Sequence, residues 1–368
     1  MSRPPDTPPR ALAAEIEVAL DAEIDVAIVG AGYFGAFHYD AWSRIPGARI
    51  VAICEQDAER TAPLAIQYGE VNATLPIYRD LADLLNAHPV TVVDITSPPS
   101  SHLSLIATAM DAGTHVICQK PFCGGLTGAK EALAVAARAG RRLAVHENVR
   151  FQPWYRAIRR ALDDGAIGTP YHIAFRLRPG DGQGADAYLA RQPYFREMPR
   201  FLVHETAVHW IDTFRFLMGE IETVSAQLVR RNRAIAGEDG ALLAFTFAGG
   251  ETGVFDGNRL ADHAASDCRR TLGELMIEGS DGTLRLDGEG RVFLRRFSHV
   301  DERDVTFAWH DRHFGGDCVH LCTRAIVEAW QRGRDAETEA GLYVRNLEIV
   351  EAVYRSDAEG RRIRVASA

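Results

Sequence analysis

Asp25-Val26-Ala27-Ile28-Val29-Gly30-Ala31-Gly32-Tyr33-Phe34-Gly35 decides the fold, and Glu55 follows its last glycine by twenty residues. An apolar run leads into G-x-G-x-x-G, a helical segment follows, and a second apolar run, Ala48 to Cys54, ends at that carboxylate. A dinucleotide site needs these parts in this order. Gly30 makes the tight turn, Gly32 keeps side-chain atoms away from a pyrophosphate, and Gly35 lets the helix pack close to the strand. Tyr33 and Phe34 open the helix, whose unpaired N–H groups and positive dipole end face the phosphates. Glu55 is placed to accept hydrogen bonds from the adenosine ribose hydroxyls. Its charge repels a 2′-phosphate, and Gln56-Asp57 supplies no cation, so the reading favours NAD over NADP.

A chain of 368 residues suits two domains, and 46% hydrophobic with 25% charged residues can bury large cores. The net charge of −9 disfavours nucleic acid or a membrane surface as partner, since both demand clustered positive charge. The Arg-Arg pairs are scattered and mostly stand beside acids. No apolar run is long enough for a transmembrane helix. Met1 to Arg10 lacks the apolar core of a signal peptide, and residues 1–23 read as a disordered tail with a short acidic helix or loose chain at 11–22. The six cysteines show no secreted-type spacing and read as small hydrophobes. A cytoplasmic protein is expected.

Strands at 24–29, 49–54, 91–96, 115–118 and 142–146 alternate with helices at 33–45, 58–68, 80–87, 101–112 and 127–139. That alternation predicts an α/β protein, with a Rossmann-type doubly wound parallel sheet over 24–148. Beyond residue 149 the pattern changes to period-two segments at 171–178, 223–230, 241–247, 275–277 and 292–297, with helices at about 205–218, 316–332 and 339–356. A C-terminal α+β domain with an open, mainly antiparallel sheet is expected over 149–368.

Ligands bind beyond the carboxyl ends of such parallel strands. Ser97-Pro98 with His102, Gln119-Lys120-Pro121 and His146-Glu147-Asn148 all follow strand ends there. Lys120, fixed by the proline after it, is expected to project into the cleft. In His204-Glu205-Thr-Ala-Val-His209-Trp-Ile-Asp212, helical spacing puts Glu205, His209 and Asp212 on one face. A core histidine satisfied by Asp212 competes there with a catalytic one. The spacing H-E-x-x-x-H is one residue too long for two zinc ligands on a helix. His310 to Cys322 is rich in metal-ligand types but lacks a second ligand pair at structural-zinc spacing. Asp317 is expected to cap the helix that follows, and no metal is expected.

As an ordered set, the glycine loop, Ser97-Pro98 with His102, Lys120-Pro121, Glu205-x-x-x-His209-x-x-Asp212 and Phe314-Gly-Gly-Asp317 resemble the glucose–fructose oxidoreductase / inositol dehydrogenase / MocA family. The chain departs from the family's usual Glu-Lys-Pro with Gln119, and from its usual aspartate four residues before the histidine with Glu205. Gln-Lys-Pro with His-Glu-Asn is similar to a branch that includes D-apiose dehydrogenase-like sugar oxidisers. The resemblance implies NAD-dependent hydride transfer from a sugar or polyol carbinol carbon. His209 is then the general base, and Lys120 holds the reacting oxygen. Glu205 orients His209 or grips a second hydroxyl. Gln119 bonds the nicotinamide ribose or amide, and Asn148 contacts both cofactor and substrate. The polar stretch Arg176 to Arg200, with Arg178, Tyr188, Arg191, Gln192 and Tyr194, reads either as a substrate lid, with Arg178 and Tyr194 on the substrate, or as a structural loop. A homodimer or homotetramer through the C-terminal sheet is also implied. An NAD-dependent glycosidase and a non-catalytic dinucleotide or sugar sensor remain alternatives on the same fold.

Overall fold

The computed structural model describes residues 23–61 and 75–365. The tail before Glu23 and the part of the expected 58–68 helix beyond Thr61 lie outside the described residues. Six strands make the first sheet: β1 (Ile24–Val29), β2 (Ala48–Cys54), β3 (Ile77–Tyr78), β4 (Val92–Ile95), β5 (His115–Gln119) and β6 (Leu143–His146). All its pairs are parallel, in the order β3-β2-β1-β4-β5-β6. β4, β5 and β6 are buried along their whole length, as both-face-covered parallel strands are, and the polar residues they carry, Asp94, His115, Gln119 and His146, are buried with them. The order in which strands are added reverses at the β1–β4 boundary, so the crevice of the doubly wound sheet opens at the carboxyl ends of those two strands.

The second sheet has nine strands: β7 (Pro170–Leu177), β8 (Ile221–Val229), β9 (Gly240–Phe247), β10 (Thr252–Asn258), β11 (Gly273–Gly279), β12 (Gly282–Leu286), β13 (Val292–Arg296), β14 (Glu302–Asp304) and β15 (Ile363–Arg364). Their order is β14-β13-β12-β11-β7-β10-β9-β8-β15, antiparallel throughout except for the parallel β7–β10 pair. The expected architecture is therefore the observed one. One face of this sheet is covered: Trp210, on the helix Val208–Met218, stacks on Phe175 and tilts against Phe255.

All six parallel strands precede residue 149, yet the chain returns to them. The helix Cys318–Gln331 buries Cys318, Cys322, Ile326, Val327 and Trp330 against Ile24, Val26, Ile28, Tyr39 and Trp42 of the first sheet and its first helix. A guanidinium–carboxylate fork fixes this contact, with Arg44 Nη1 and Nη2 bonding both oxygens of Asp317 at 2.7 and 2.6 Å. Asp317 was expected to cap its own helix. It occupies the N-cap position in the left-handed region (φ 67°), but its side chain makes no cap bond because the carboxylate is held by Arg44.

Candidate active site

The glycine loop leaves β1 at the crevice. Gly30 has φ +101°, and a Cβ there would stand 2.9 Å from Thr96 Oγ1 at the end of β4. At Gly35 a Cβ would collide with the carbonyl oxygen of Gly30, so the first helix (Tyr33–Ser43) lies against the turn itself. Gly32 differs: nothing lies within 4 Å of where its Cβ would be, and no side chain caps the helix that starts after it. Open space in front of an uncapped helix start is what a pyrophosphate requires. Glu55 Oε2 accepts from Ala31 N–H inside the loop (2.7 Å), and Oε1 accepts from Asp57 N–H (3.1 Å). The carboxylate is thus held at the lip of the crevice with lone pairs left for a ribose diol. These residues fit NAD.

Ser97 and Pro98 form the next wall. Ser97 Oγ bonds Ser101 Oγ (2.7 Å), and the Ser97 carbonyl lies 2.8 Å from His102 Nε2. His102 is wholly buried and desolvation pushes its pKa down to about 4, so it supports the cofactor wall from behind. Gln119 is also turned inward. Its Nε2 lies 2.7 Å from His38 Nε2 and 3.3 Å from His146 Nδ1, and its Oε1 accepts from Lys120 N–H (3.0 Å). Both side chains are buried and take these partners from the sheet interior.

Lys120 crosses from the end of β5 to the second half of the chain. Its Nζ donates to the Glu205 carbonyl (2.9 Å) and pairs with Glu205 Oε1. Glu205 lies in a wide turn, Leu202–Ala207, where Val208 N–H reaches back five residues to the Val203 carbonyl before the ordinary helix begins. Such π-type turns carry a mismatch that proteins place at functional sites. Glu238 Oε1 accepts from Phe201 and Val203 N–H (3.2 and 3.0 Å) and so satisfies the start of the turn. Burial penalises ionised Glu205, but Lys120 and Arg259 more than reverse this and hold its pKa at about 2. Arg259 Nη1 donates to Thr206 Oγ1, and the Thr206 hydroxyl donates to Glu205 Oε2, both at 2.5 Å. The same guanidinium bonds Asp181 and the Tyr188 hydroxyl, tying the 179–200 segment to Glu205.

His209 lies four residues beyond Glu205, and the two carboxylates near it have separate tasks. Glu205 was expected to orient the imidazole. Instead Glu147, wholly buried just past β6, places Oε1 2.5 Å from His209 Nδ1, while Glu205 serves Lys120. Asp212 does not satisfy His209 either, because it takes Arg150 in a fork (2.6 and 2.7 Å) and Asn346 Nδ2 (2.7 Å). Asn148 is buried with Nδ2 3.2 Å from Cys318 Sγ. Tyr194 is 48% exposed, accepts from Gln192 Nε2 (3.1 Å) and feels the charge of Glu205. Arg178 finds its partners on the sheet itself. It bonds Asp256 and the carbonyl of Leu177, and Asp256 alternates with Phe255, whose side faces the helix carrying His209. Arg178 therefore points to the other face of the sheet.

Sequence reasoning missed Glu147 and Arg259 as members of this cluster. His146-Glu147-Asn148 did mark the right strand end, but nothing local tells which imidazole the carboxylate meets. In the His310–Cys322 stretch, His313 bonds Asp40, His320 Nδ1 lies 3.1 Å from the Ala41 carbonyl, and Cys318 and Cys322 are buried. Among the described residues no group of three or more His, Cys, Asp or Glu side chains is arranged to hold a metal ion.

Comparison with known proteins bears on the whole chain. Residues 24–147 match the model of an oxidoreductase family with an NAD-binding Rossmann fold, and residues 155–285 match the GFO/IDH/MocA C-terminal domain. D-apiose dehydrogenase of Paraburkholderia graminis is 35% identical, covering 93% of this chain and 89% of that protein. Inositol 2-dehydrogenase 3 of Saccharopolyspora erythraea is 32% identical over 78% of this chain and 80% of its own. An oxidoreductase from Agrobacterium radiobacter, solved with NAD+, L-tartaric acid and magnesium, superposes with a TM-score of 0.83 at 28% identity, covering 93% of this chain and 98% of its own. The two family models together span more than half of the chain, and the chain belongs to the GFO/IDH/MocA family of NAD-binding oxidoreductases.

Proposed function

We propose that this protein is an NAD-dependent dehydrogenase that oxidises a CH–OH group of a sugar or polyol, with an aldose-to-lactone reaction on a branched pentose as the favoured case. The observation that carries the reading is the meeting of Lys120 with the turn that precedes His209, at the carboxyl edge of the parallel sheet where the glycine loop also opens. Bound NAD supplies the hydride acceptor. The protein supplies the rest. Lys120 has three N–H donors and uses two on Glu205, so one remains to hold the substrate oxygen and stabilise its developing charge. His209 takes the hydroxyl proton at Nε2. Positioned proton transfer of this kind contributes about 10²–10⁴-fold. Glu205, kept ionised by Lys120 and Arg259, holds the lysine in place and offers an acceptor to a neighbouring hydroxyl. The relatives named for apiose and inositol support a substrate rich in vicinal hydroxyls.

The test is substitution with cofactor binding measured separately. Lys120→Ala and His209→Ala should each lower turnover by about a hundredfold or more while NAD still quenches tryptophan fluorescence as in wild type. Near-normal turnover in either variant overturns the assignment of that residue.

The reading includes a homo-oligomer built on the uncovered face of the second sheet. Ala244, Val254, Ala174 and Met276 stand in register across four neighbouring strands of that face and are not buried. All six cysteines are free, the state expected of a reducing compartment such as the cytoplasm. No helix among the described residues is long and apolar enough to cross a membrane.

A further inference from the structure

The geometry points to Glu147 as the positioning residue of the proton transfer: it fixes which nitrogen of His209 is free and stabilises the ring once it is charged. The inference rests on the catalytic reading of His209 above. Glu147 has no solvent exposure. A buried carboxylate is costly unless donors surround it. The nearest guanidinium, Arg150, gives its fork to Asp212. What Glu147 has is His209 Nδ1 at 2.5 Å from Oε1, the Tyr343 hydroxyl at 3.4 Å from Oε2, and a long contact from Val149 N–H (3.4 Å). An ionised carboxylate only accepts, so Nδ1 carries the hydrogen and Nε2 keeps its lone pair. The buried acid thus selects the one tautomer that can act as a base at Nε2.

The chemistry balances around that nitrogen. The substrate O–H bond breaks, the proton forms a bond to Nε2, the hydride leaves carbon for the nicotinamide, and the carbinol C–O becomes a carbonyl. The imidazolium then sits with a carboxylate already against Nδ1, so its charge is met without reorganisation, the same division of labour as in a Ser-His-Asp triad. Glu147 comes from the edge of the parallel sheet and His209 from the helix on the second sheet, so the dyad also registers the two halves. Other charged or titratable groups around it are the Lys120–Glu205 pair one turn earlier, the Arg150–Asp212 pair one turn later, Tyr343, and the thiols of Cys318 and Cys322 near Glu147. None of these reaches Nδ1.

The test compares Glu147→Gln and Glu147→Asp with wild type in pH profiles of kcat and KM. Glu147→Gln should lower kcat by about a hundredfold with KM little changed, and should move the acid limb to lower pH because the charge that favours the imidazolium is gone. Glu147→Asp, which keeps the charge, should leave the limb near its wild-type position and recover most of kcat. An unshifted limb in Glu147→Gln, or a loss equal at every pH, would reduce Glu147 to a structural tie and overturn the proposal. Imidazole nitrogen NMR on wild-type protein needs no variant to fold: an Nδ1–H tautomer at His209 is expected, and an Nε2–H tautomer contradicts it. His209→Ala is run alongside. If it turns over normally, the catalytic reading of His209 fails; if it is inactive while Glu147→Gln is normal, only the present proposal fails.

Discussion

Glu55 and His209 mark what single residues reveal about themselves. Glu55 sits where its spacing from the glycine loop puts it, because strand, turn, helix and strand are all local in sequence. The structure adds its bond to Ala31 N–H, which makes the acid a brace for the loop beside the ribose role proposed for it. Glu55→Ala should therefore weaken NAD binding by tenfold or more, and NADP binding less, so that the preference narrows. Titration of both nucleotides by fluorescence checks this, and unchanged NAD affinity removes the role. His209 was legible as a residue but its partner was not. Helical spacing offers Glu205 and Asp212, whereas the wide turn before Val208 and the docking of two sheets bring Glu147 from 62 residues away. The bonds of Arg178 to Asp256 were illegible for a related reason: alternation along a strand fixes that a side chain changes face, not which partners that face supplies.

Between elements, a buried polar chain links the first helix to β4, β5, β6 and the helix Cys318–Gln331. Asp94 Oδ2 accepts from His38 Nδ1–H (2.7 Å) and Trp42 Nε1–H (2.6 Å). Gln119 donates from one amide nitrogen to His38 Nε2 and His146 Nδ1, and His146 Nε2–H faces Thr323 Oγ1 (3.0 Å). Desolvation, with the His38 neighbour, lowers the His146 pKa well below its ordinary value. A carboxylate at 119 has no N–H to give, so the folded Gln119→Glu protein must hold one extra proton on the acid or on an imidazole. The unfolded acid gives up its proton above about pH 4.3, so unfolding of the variant releases one more proton than wild type there, and its stability relative to wild type falls as pH rises. The gap in thermal midpoint between Gln119→Glu and wild type should widen from pH 6 to pH 8, by about 1.4 kcal/mol per pH unit in stability. A constant gap contradicts the chain as drawn. Element boundaries were readable where a strand has an apolar centre, as in β1, β5 and β6. The strands Thr252–Asn258 and Gly282–Leu286 were not picked out, since glycines and half-polar alternation hide short strands that only their neighbours stabilise.

For the molecule as a whole, stability and assembly follow from the two sheets. Desolvation pushes the pKa of both His102 and His115 down to about 4, with Arg141 and Arg142 adding to the shift at His115, and lowers that of His146 as well. The unfolded chain takes protons near pH 6.5 that the folded chain refuses, so these groups leave stability whole above about 6.5 and drain it as pH falls towards 4. Each contributes a slope of about 1.4 kcal/mol per pH unit, and denaturant titrations at pH 7 and 5 should show a clear fall; equal stabilities contradict it. Val254→Asp places a charge in the middle of the uncovered sheet face and should lower the assembly state in sedimentation without loss of NAD binding; an unchanged sedimentation coefficient removes that face as the interface. Hydride transfer from a sugar or polyol at the Lys120–His209 site is read out by NADH absorbance when wild type and Lys120→Ala, both saturated with NAD, are mixed with aldoses, branched pentoses, inositols and sugar acids. Wild type should form NADH from at least one of them, and Lys120→Ala should lose about a hundredfold or more of that rate; NADH formed equally by both, or by neither while NAD binds, contradicts hydride transfer at this site.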